Sequence, residues 1–302
     1  MNIFLENVDL NSNSGPNYFA QKLVKYLNFR SVTFSPDERH QLKLTFIESH
    51  NQKSWLPMIQ RLDGIYFNAN FDCNRMNANI KRTYEQTTGV VFQTNFNKEL
   101  IFNWFGPHDN YRIINNGADL LFINDLEESQ TIKDRFKNFD NVWSCAAHWH
   151  IFKRLEDNIK YFLNYSDEND CLVVAGHAPD YQTDHPRIFY VGNLATNELL
   201  TLFKISKYFI HLAYLDHCPN VVIDARACGC KIICSSSGGT KEIAGEDAIV
   251  IDEPQWDYSF LDIKKPPQID YKKTCNIALN SDLSMVKAAK KYYNFFKDVA
   301  SG

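Results

Sequence analysis

The chain has no C-x2-C pair, so its eight cysteines supply no zinc motif, and only Cys228, Cys230 and Cys234 cluster at all. Thiols scattered in this way read as small, reduced, buried residues, as in a cytosolic protein. No stretch approaches the ~18 apolar residues that a membrane helix needs. The opening residues MNIFLENVDLNSNSG lack the basic start and long apolar run of a secretory leader, and a cytoplasmic location is expected. No long basic block is present and the net charge is -4, which argues against nucleic acid as a partner. Neither G-x-G-x-x-G nor the Walker lysine pattern occurs, so there is no dinucleotide fingerprint and no P-loop, which makes a dehydrogenase the least favoured reading. No D-x-D pair follows a strand in the first half, so no metal is expected to hold a substrate diphosphate.

What is present belongs to a globular protein with well-filled cores: 44% hydrophobic, 23% charged and 14% aromatic residues. A length of 302 residues exceeds what a single core ordinarily holds and predicts two domains. Apolar β-rich runs alternate with segments of helical period along the whole chain. In the first half the strands are NIFLENV (2–8), KLTFIES (43–49), DGIYFN (63–68), GVVFQT (89–94) and YRIINNG (111–117), and the helices are 16–27, 75–86 and 96–106. In the second half NVWSCAAH (141–148), CLVVAGH (171–177), RIFYVG (187–192), YFIHLAY (208–214), KIICSS (231–236) and AIVID (248–252) are separated by helices near 153–165, 196–206 and 219–228. This alternation predicts α/β architecture with parallel sheets. The charged stretch 124–140 marks the break, giving an N-terminal Rossmann-like domain over 1–135, a C-terminal one over 136–281, and an amphipathic helix in 282–302. That tail, with Trp55, Phe102, Trp104 and Phe105, fits either an interfacial surface with weak, peripheral membrane association or packing against the N-terminal domain; packing is favoured.

In open α/β sheets ligands bind beyond the carboxyl ends of strands. Three segments there carry chemistry. Asp216 follows YFIHLAY, and Pro219 or Asn220 can open a helix whose free N–H groups face the same space, making an anion site beside a carboxylate. SSSGGTKEI (235–243) is a glycine-rich turn able to bring backbone N–H groups near an anion, or simply a tight turn. His148 and the Lys153-Arg154 pair follow NVWSCAA, where cations can neutralise a departing phosphate, or can form a solvated helix start.

Taken in order, these segments resemble a GT-B glycosyltransferase of the retaining glycosyltransferase family 4 type. Asp216 and Asp224 bracket HCPNVVI, and ARACGCKII (225–233) and SSSGGTKEI follow; that family shows two glutamates seven residues apart, then A-M-A-C-G-x-P-V-I and a Gly-Gly turn. VVFQTNFNKELIFNWFG and RIINNGADLLF (112–122) are similar to its N-terminal pattern. The resemblance runs from about residue 89 to 252, with a weaker match at the start of the chain.

By that resemblance Asp224 holds the ribose hydroxyls of a nucleotide sugar, while Asp216 and the N–H groups around Asn220 and Val221, next to Pro219, hold the sugar and phosphates. Lys153 takes the place of the diphosphate lysine and His148 that of an arginine whose charge Arg154 can replace. Gly15 matches the early glycine loop near the donor phosphates, and Val191 borders the base. Two departures stand out: both family glutamates are aspartates here, and the histidine-bearing acceptor strand is not evident. Asp63 and Asp72 are the acceptor-side candidates, each better suited to a turn or helix cap. The resemblance thus implies sugar transfer from a nucleoside diphosphate, UDP slightly preferred, to the hydroxyl of a glycan, lipid-linked or protein acceptor, with retention and with no metal or other cofactor. The alternatives are a non-catalytic sugar-nucleotide-binding partner subunit and a GT-B-fold sugar-nucleotide epimerase.

Overall fold

The structure is a computed structural model and describes residues 1–12, 14–34, 40–50, 56–276 and 282–301. The chain forms two compact units: Met1–Gly117 with Asp257–Leu261 and Asp282–Gly302, and Ala118–Trp256 with Asp262–Ser281.

The first unit contains β1 (Asn2–Glu6), α1 (Gly15–Asn28), β2 (Thr33–Phe34), β3 (Leu42–Phe46), β4 (Met58–Leu62), α2 (Cys73–Gln86), β5 (Gly89–Phe92), α3 (Asn95–Phe105) and β6 (Tyr111–Ile113). Its strands form one parallel sheet in the order β2-β1-β3-β4-β5-β6. Local signals set the helices: Pro16 lies in the first turn of α1, Asp72 caps α2, Thr94 caps α3, and Gly106 ends α3 at φ 90°.

The expected strand at 63–68 is a correction. The strand is β4, Met58–Leu62, and the DGIYFN run is irregular apart from a single bridge from Asn68 to Leu261. Two polar residues concealed it. Gln60 and Arg61 are fully buried in the strand, where Gln60 Nε2 donates to the Ile47 and Ile80 carbonyls and Arg61 Nη2 donates to Asn116 Oδ1 at 2.8 Å. The Arg61 guanidinium also lies 4.2 Å from the Phe19 ring centroid. Sequence alternation cannot foresee a buried strand whose polar side chains reach hydrogen-bond partners on neighbouring elements.

The second unit contains α4 (Leu120–Asn124), α5 (Gln130–Phe136), β7 (Val142–His148), α6 (Leu155–Tyr165), β8 (Cys171–His177), β9 (Ile188–Gly192), α7 (Thr196–Ile205), β10 (Ser206–His211), α8 (Asn220–Ala227), β11 (Lys231–Ser235), β12 (Ile249–Ile251) and β13 (Thr274–Cys275), with single 3-10 turns at Ile151–Lys153 and Thr240–Glu242. Its sheet runs β13-β12-β11-β10-β7-β8-β9, parallel except for the β12–β13 edge. β7 leads outward through β8 to β9, and β10 returns to the other flank of β7, so the strand order reverses between β7 and β10. That reversal is where a doubly wound sheet opens a crevice at its carboxyl edge.

Residues 118–135, assigned from the sequence to the first domain, lie in the second unit. Contacts made by α5 and its approach explain the shift: Ser129 N–H donates to Thr201 Oγ1 at 2.9 Å, Glu128 pairs with Lys204 at 3.2 Å, and Phe136 meets Phe189 edge-on.

The chain's last helix, α9 (Met285–Ser301), completes the core of the first unit. Its buried face presents Tyr292, Phe295 and Phe296 to Phe19, Leu23 and Phe46, and glycines permit the contact. A Cβ at Gly89 would stand 2.6 Å from Phe295 Cζ, and one at Gly117 would stand 2.8 Å from the Met285 backbone. Phe102, Trp104 and Phe105, considered for a membrane face, are half-buried in this unit. Trp104 donates to the Tyr258 carbonyl at 2.8 Å and meets Phe260 at 4.6 Å, Phe102 packs edge-on to Phe92, and Phe105 tilts against Tyr84. Trp55 lies outside the described residues. Among the described residues no helix is long and apolar enough to cross a membrane.

Candidate functional site

At the carboxyl edge of the second sheet, β7 runs out at His148, and the 3-10 turn that follows sets Lys153 beside the end of β10. Lys153 Nζ lies 2.5 Å from Asp216 Oδ2, and His211 Nε2, from the last residue of β10, lies 2.9 Å from the same oxygen. Oδ1 accepts the His217 backbone N–H at 3.0 Å. Burial pushes the Asp216 carboxyl up, but Lys153 and His211 more than reverse this and hold it well below the usual carboxylate range. His211 is driven down by burial despite the raising effect of Asp216, and His217 falls to about 4 for the same reasons. Both imidazoles are neutral at neutral pH, and the site carries one carboxylate against one ammonium.

The backbone here is tightly built. Leu215 adopts φ 55°, which turns the chain so that Asp216 faces Lys153 and His211. The glycine turn presses against it from behind: Gly239 N–H donates to the Asp216 carbonyl at 2.7 Å, and a Cβ at Gly238, φ 75°, would stand 2.5 Å from that oxygen. The Gly-Gly pair therefore acts as a close-approach brace for the acidic loop, and only three residues of 3-10 turn follow it. Pro219 supplies the N-cap of α8 at φ -66°, ψ 120°, and Asn220 and Val221 form its first turn. The first turn of a helix directs its backbone N–H groups outward along the axis, the arrangement that an anion site uses. Asp224 sits one turn further along α8, largely buried.

Arg154, grouped from the sequence with Lys153 as a cation for the diphosphate, is a correction. The residue is 3% exposed, and its guanidinium forms a bidentate pair with Glu253, Nη1–Oε1 2.7 Å and Nη2–Oε2 2.9 Å. It also donates to the Leu212 and Pro267 carbonyls and lies over the Tyr214 ring. A left-handed residue, φ 53°, closes the 3-10 turn at Arg154, and α6 begins directly after it. Arg154 is structural: Glu253 also accepts from Ser235 Oγ, Ser235 shares a 2.7 Å hydrogen bond with Ser237, and Ser237 Oγ accepts the Leu215 N–H at 3.4 Å. This buried polar chain ties Arg154 to the loop that carries Asp216. Sequence reasoning missed Glu253, Ser235 and His211. The one readable signal was a histidine inside the apolar run YFIHLAY.

The remaining candidates separate. His148 is exposed and stacks on His150 at 4.6 Å with His177 edge-on at 5.5 Å. Val191 lies near the end of β9. Gly15, Asp63 and Asp72 belong to the first unit, where Gly15 opens α1. Asp72 is the N-cap of α2, accepting the Arg75 N–H at 3.1 Å, which is the cap role considered for it. Asp63 follows β4, with Oδ1 shared by Arg61 and Gln93 and Oδ2 buried without a hydrogen-bond partner among the described residues. All eight thiols are unbridged, and among the described residues no three His, Cys, Asp or Glu side chains are grouped to hold a metal ion. A cavity of about 400 Å³ bordered by Phe136, Phe139 and Lys207 opens at the amino ends of β7 and β10, the far end of those strands from Asp216, and none of the candidate residues lines it.

Residues 152–265, which hold Lys153, Asp216 and Glu253, match the family described as Glycosyl transferases group 1. No curated protein sequence matches the chain. Among solved structures, HepE of Anabaena in complex with UDP and glucose is similar with a TM-score of 0.68 and 14% identity, over 99% of this chain and 100% of that one. Sucrose-phosphate synthase of Thermosynechococcus elongatus is similar at 0.71 and 12%, over 99% of each chain. The fold is GT-B. WaaG, a glycosyltransferase involved in lipopolysaccharide biosynthesis, shares it at 0.61 and 11%, over 100% of this chain and 93% of that one. In this GT-B chain the family match and the Lys153–Asp216 pair fall in the same unit, at the strand-order reversal of the second sheet.

Proposed function

We propose that the protein is a glycosyltransferase that moves a sugar from a nucleoside diphosphate to an acceptor hydroxyl. The observation that carries this reading is the meeting of Lys153 and Asp216 beside the first turn of α8, within the segment that matches the group 1 glycosyltransferases. In the reaction the bond from the sugar's anomeric carbon to the diphosphate breaks, a bond to the acceptor oxygen forms, and the acceptor proton passes to the departing diphosphate. The Lys153 ammonium and the N–H groups of Asn220 and Val221 take up the charge that develops on the leaving group. Asp216 holds Lys153 in place before the donor arrives, and Asp224 binds hydroxyls of the nucleotide ribose. Retention of anomeric configuration and independence of metal complete the proposal. UDP is the favoured nucleotide, because HepE, a structural neighbour, was solved with UDP. Asp63, just past the end of β4 with a carboxylate oxygen that has no hydrogen-bond partner among the described residues, is the acceptor-side residue.

Calorimetry against UDP, GDP and ADP with EDTA present, followed by a search for slow hydrolysis of the matching sugar nucleotides, tests the reading. One nucleotide is expected to bind and its sugar to be released. Binding without turnover would transfer the protein to the non-catalytic class, conversion of the donor sugar without release would make it an epimerase, and no binding would remove the donor site.

A further inference from the structure

We propose that His211 is a positioning residue: by keeping one hydrogen bond on Asp216 Oδ2, it allows Lys153 to leave that oxygen for an arriving diphosphate without stranding a buried carboxylate. The proposal rests on the donor-site reading above.

Among the described residues three donors reach the carboxylate, and two of them share one oxygen: Lys153 Nζ at 2.5 Å and His211 Nε2 at 2.9 Å on Oδ2, against the His217 N–H at 3.0 Å on Oδ1. The three differ in mobility. The backbone N–H cannot move. His211 is the last residue of β10, 3% exposed, paired in register with Cys234 of β11 and parallel to the Phe209 ring. Its imidazole is therefore a fixed donor. Lys153, with its side chain 18% exposed, ends a 3-10 turn on a flexible four-carbon stem and is the donor that can leave.

Leaving has a cost set by what remains. Asp216 keeps only 14% of its side-chain surface in solvent, so water cannot replace a lost partner fully. With His211 present, Oδ2 retains a charge-assisted hydrogen bond when the ammonium departs. Without it, Oδ2 would have no protein donor, and Lys153 would be held more tightly by Asp216 than a diphosphate could readily overcome. Because Oδ2 accepts in both contacts, Nε2 carries the proton, and a glutamine amide nitrogen is the side chain that best reproduces that donor.

The test is a double-mutant cycle on nucleotide affinity, measured by calorimetry with UDP, GDP and ADP as probes. His211→Phe should weaken binding of the nucleotide that the wild type prefers by about tenfold, the scale of one charge-assisted hydrogen bond, and His211→Gln should stay within about threefold. In a Lys153→Ala background, His211→Phe should change affinity by less than about twofold, since the handover it serves no longer occurs. Thermal unfolding of each variant establishes that it is folded, and His211→Gln keeps the test open if His211→Phe is not. An equal loss in both backgrounds, a folded His211→Gln that loses as much as His211→Phe, or an unaffected His211→Phe would overturn the proposal alone. A wild type that binds none of the three nucleotides would overturn the donor-site reading, and this proposal with it.

Discussion

Lys153 and Arg154 are neighbours in sequence and opposites in the folded chain, one near solvent beside Asp216 and the other sealed against Glu253. Lys153→Ala is expected to lower kcat/KM about a hundredfold, roughly 3 kcal/mol of transition-state stabilisation, with the unfolding midpoint little changed. Glu253→Gln should do the reverse: it leaves a buried guanidinium without its counter-charge and costs about 3–5 kcal/mol of stability, read as a lower denaturation midpoint. Acid should act through the histidines. Burial holds His217 at about 4, below its unfolded value, so the folded state binds fewer protons. Its contribution to stability is complete above the unfolded value near 6.5 and is lost as pH falls toward 4. Part of this residue stays in contact with solvent, so the loss is smaller than full burial would give. Denaturation melts across that window should fall more steeply for the wild type than for His217→Gln. At this scale the sequence placed Lys153 and Asp216 correctly at strand ends, but nothing in a Lys-Arg pair says which cation turns inward. The left-handed turn at Arg154 and the carboxylate from a distant strand end decide it.

Elements with a plain periodic pattern were legible: the strands around 89–94, 141–148 and 171–177 and the helices near 16–27 and 196–206 all stand within a few residues of the places read from the pattern. β4 was not, because its buried polar residues bond to tertiary partners that no local pattern shows. Short edge strands such as β2 and β13 hold too few residues to show a period. The Gly-Gly turn was visible as a turn, but its purpose as a brace for Asp216 depends on a close approach between two loops that no local pattern encodes. Gly238→Ala tests that purpose. Its φ of 75° and the 2.5 Å contact with the Asp216 carbonyl oxygen allow no Cβ without a shift of the acidic loop. The variant should lose more than about 1 kcal/mol of stability and should also bind nucleotide more weakly. Loss of stability with full nucleotide affinity would mean that the brace does not set Asp216.

At the scale of the whole molecule the two-domain α/β plan was readable from alternation alone, whereas the boundary was not. The charged stretch that looked like a linker is wound into α5 and anchored by Thr201 and Lys204. Nor could periodicity show that the first unit is assembled from three separate stretches of chain. Phe296 is fully buried between α9 and the first sheet, so Phe296→Ala should cost about 3–5 kcal/mol. Hydrogen exchange should show the loss of protection confined to β1–β6, with β7–β12 unaffected. The return of α9 also fixes an order of events during synthesis. Domains usually fold in the sequence in which they emerge from the ribosome, N-terminal first. Here the second unit has all of its strands once residue 281 has been made, while the first still lacks the helix that closes its core. The unit that begins the chain is therefore the last to be finished, and until α9 arrives its Phe19 and Phe46 surface is exposed to whatever holds nascent chains.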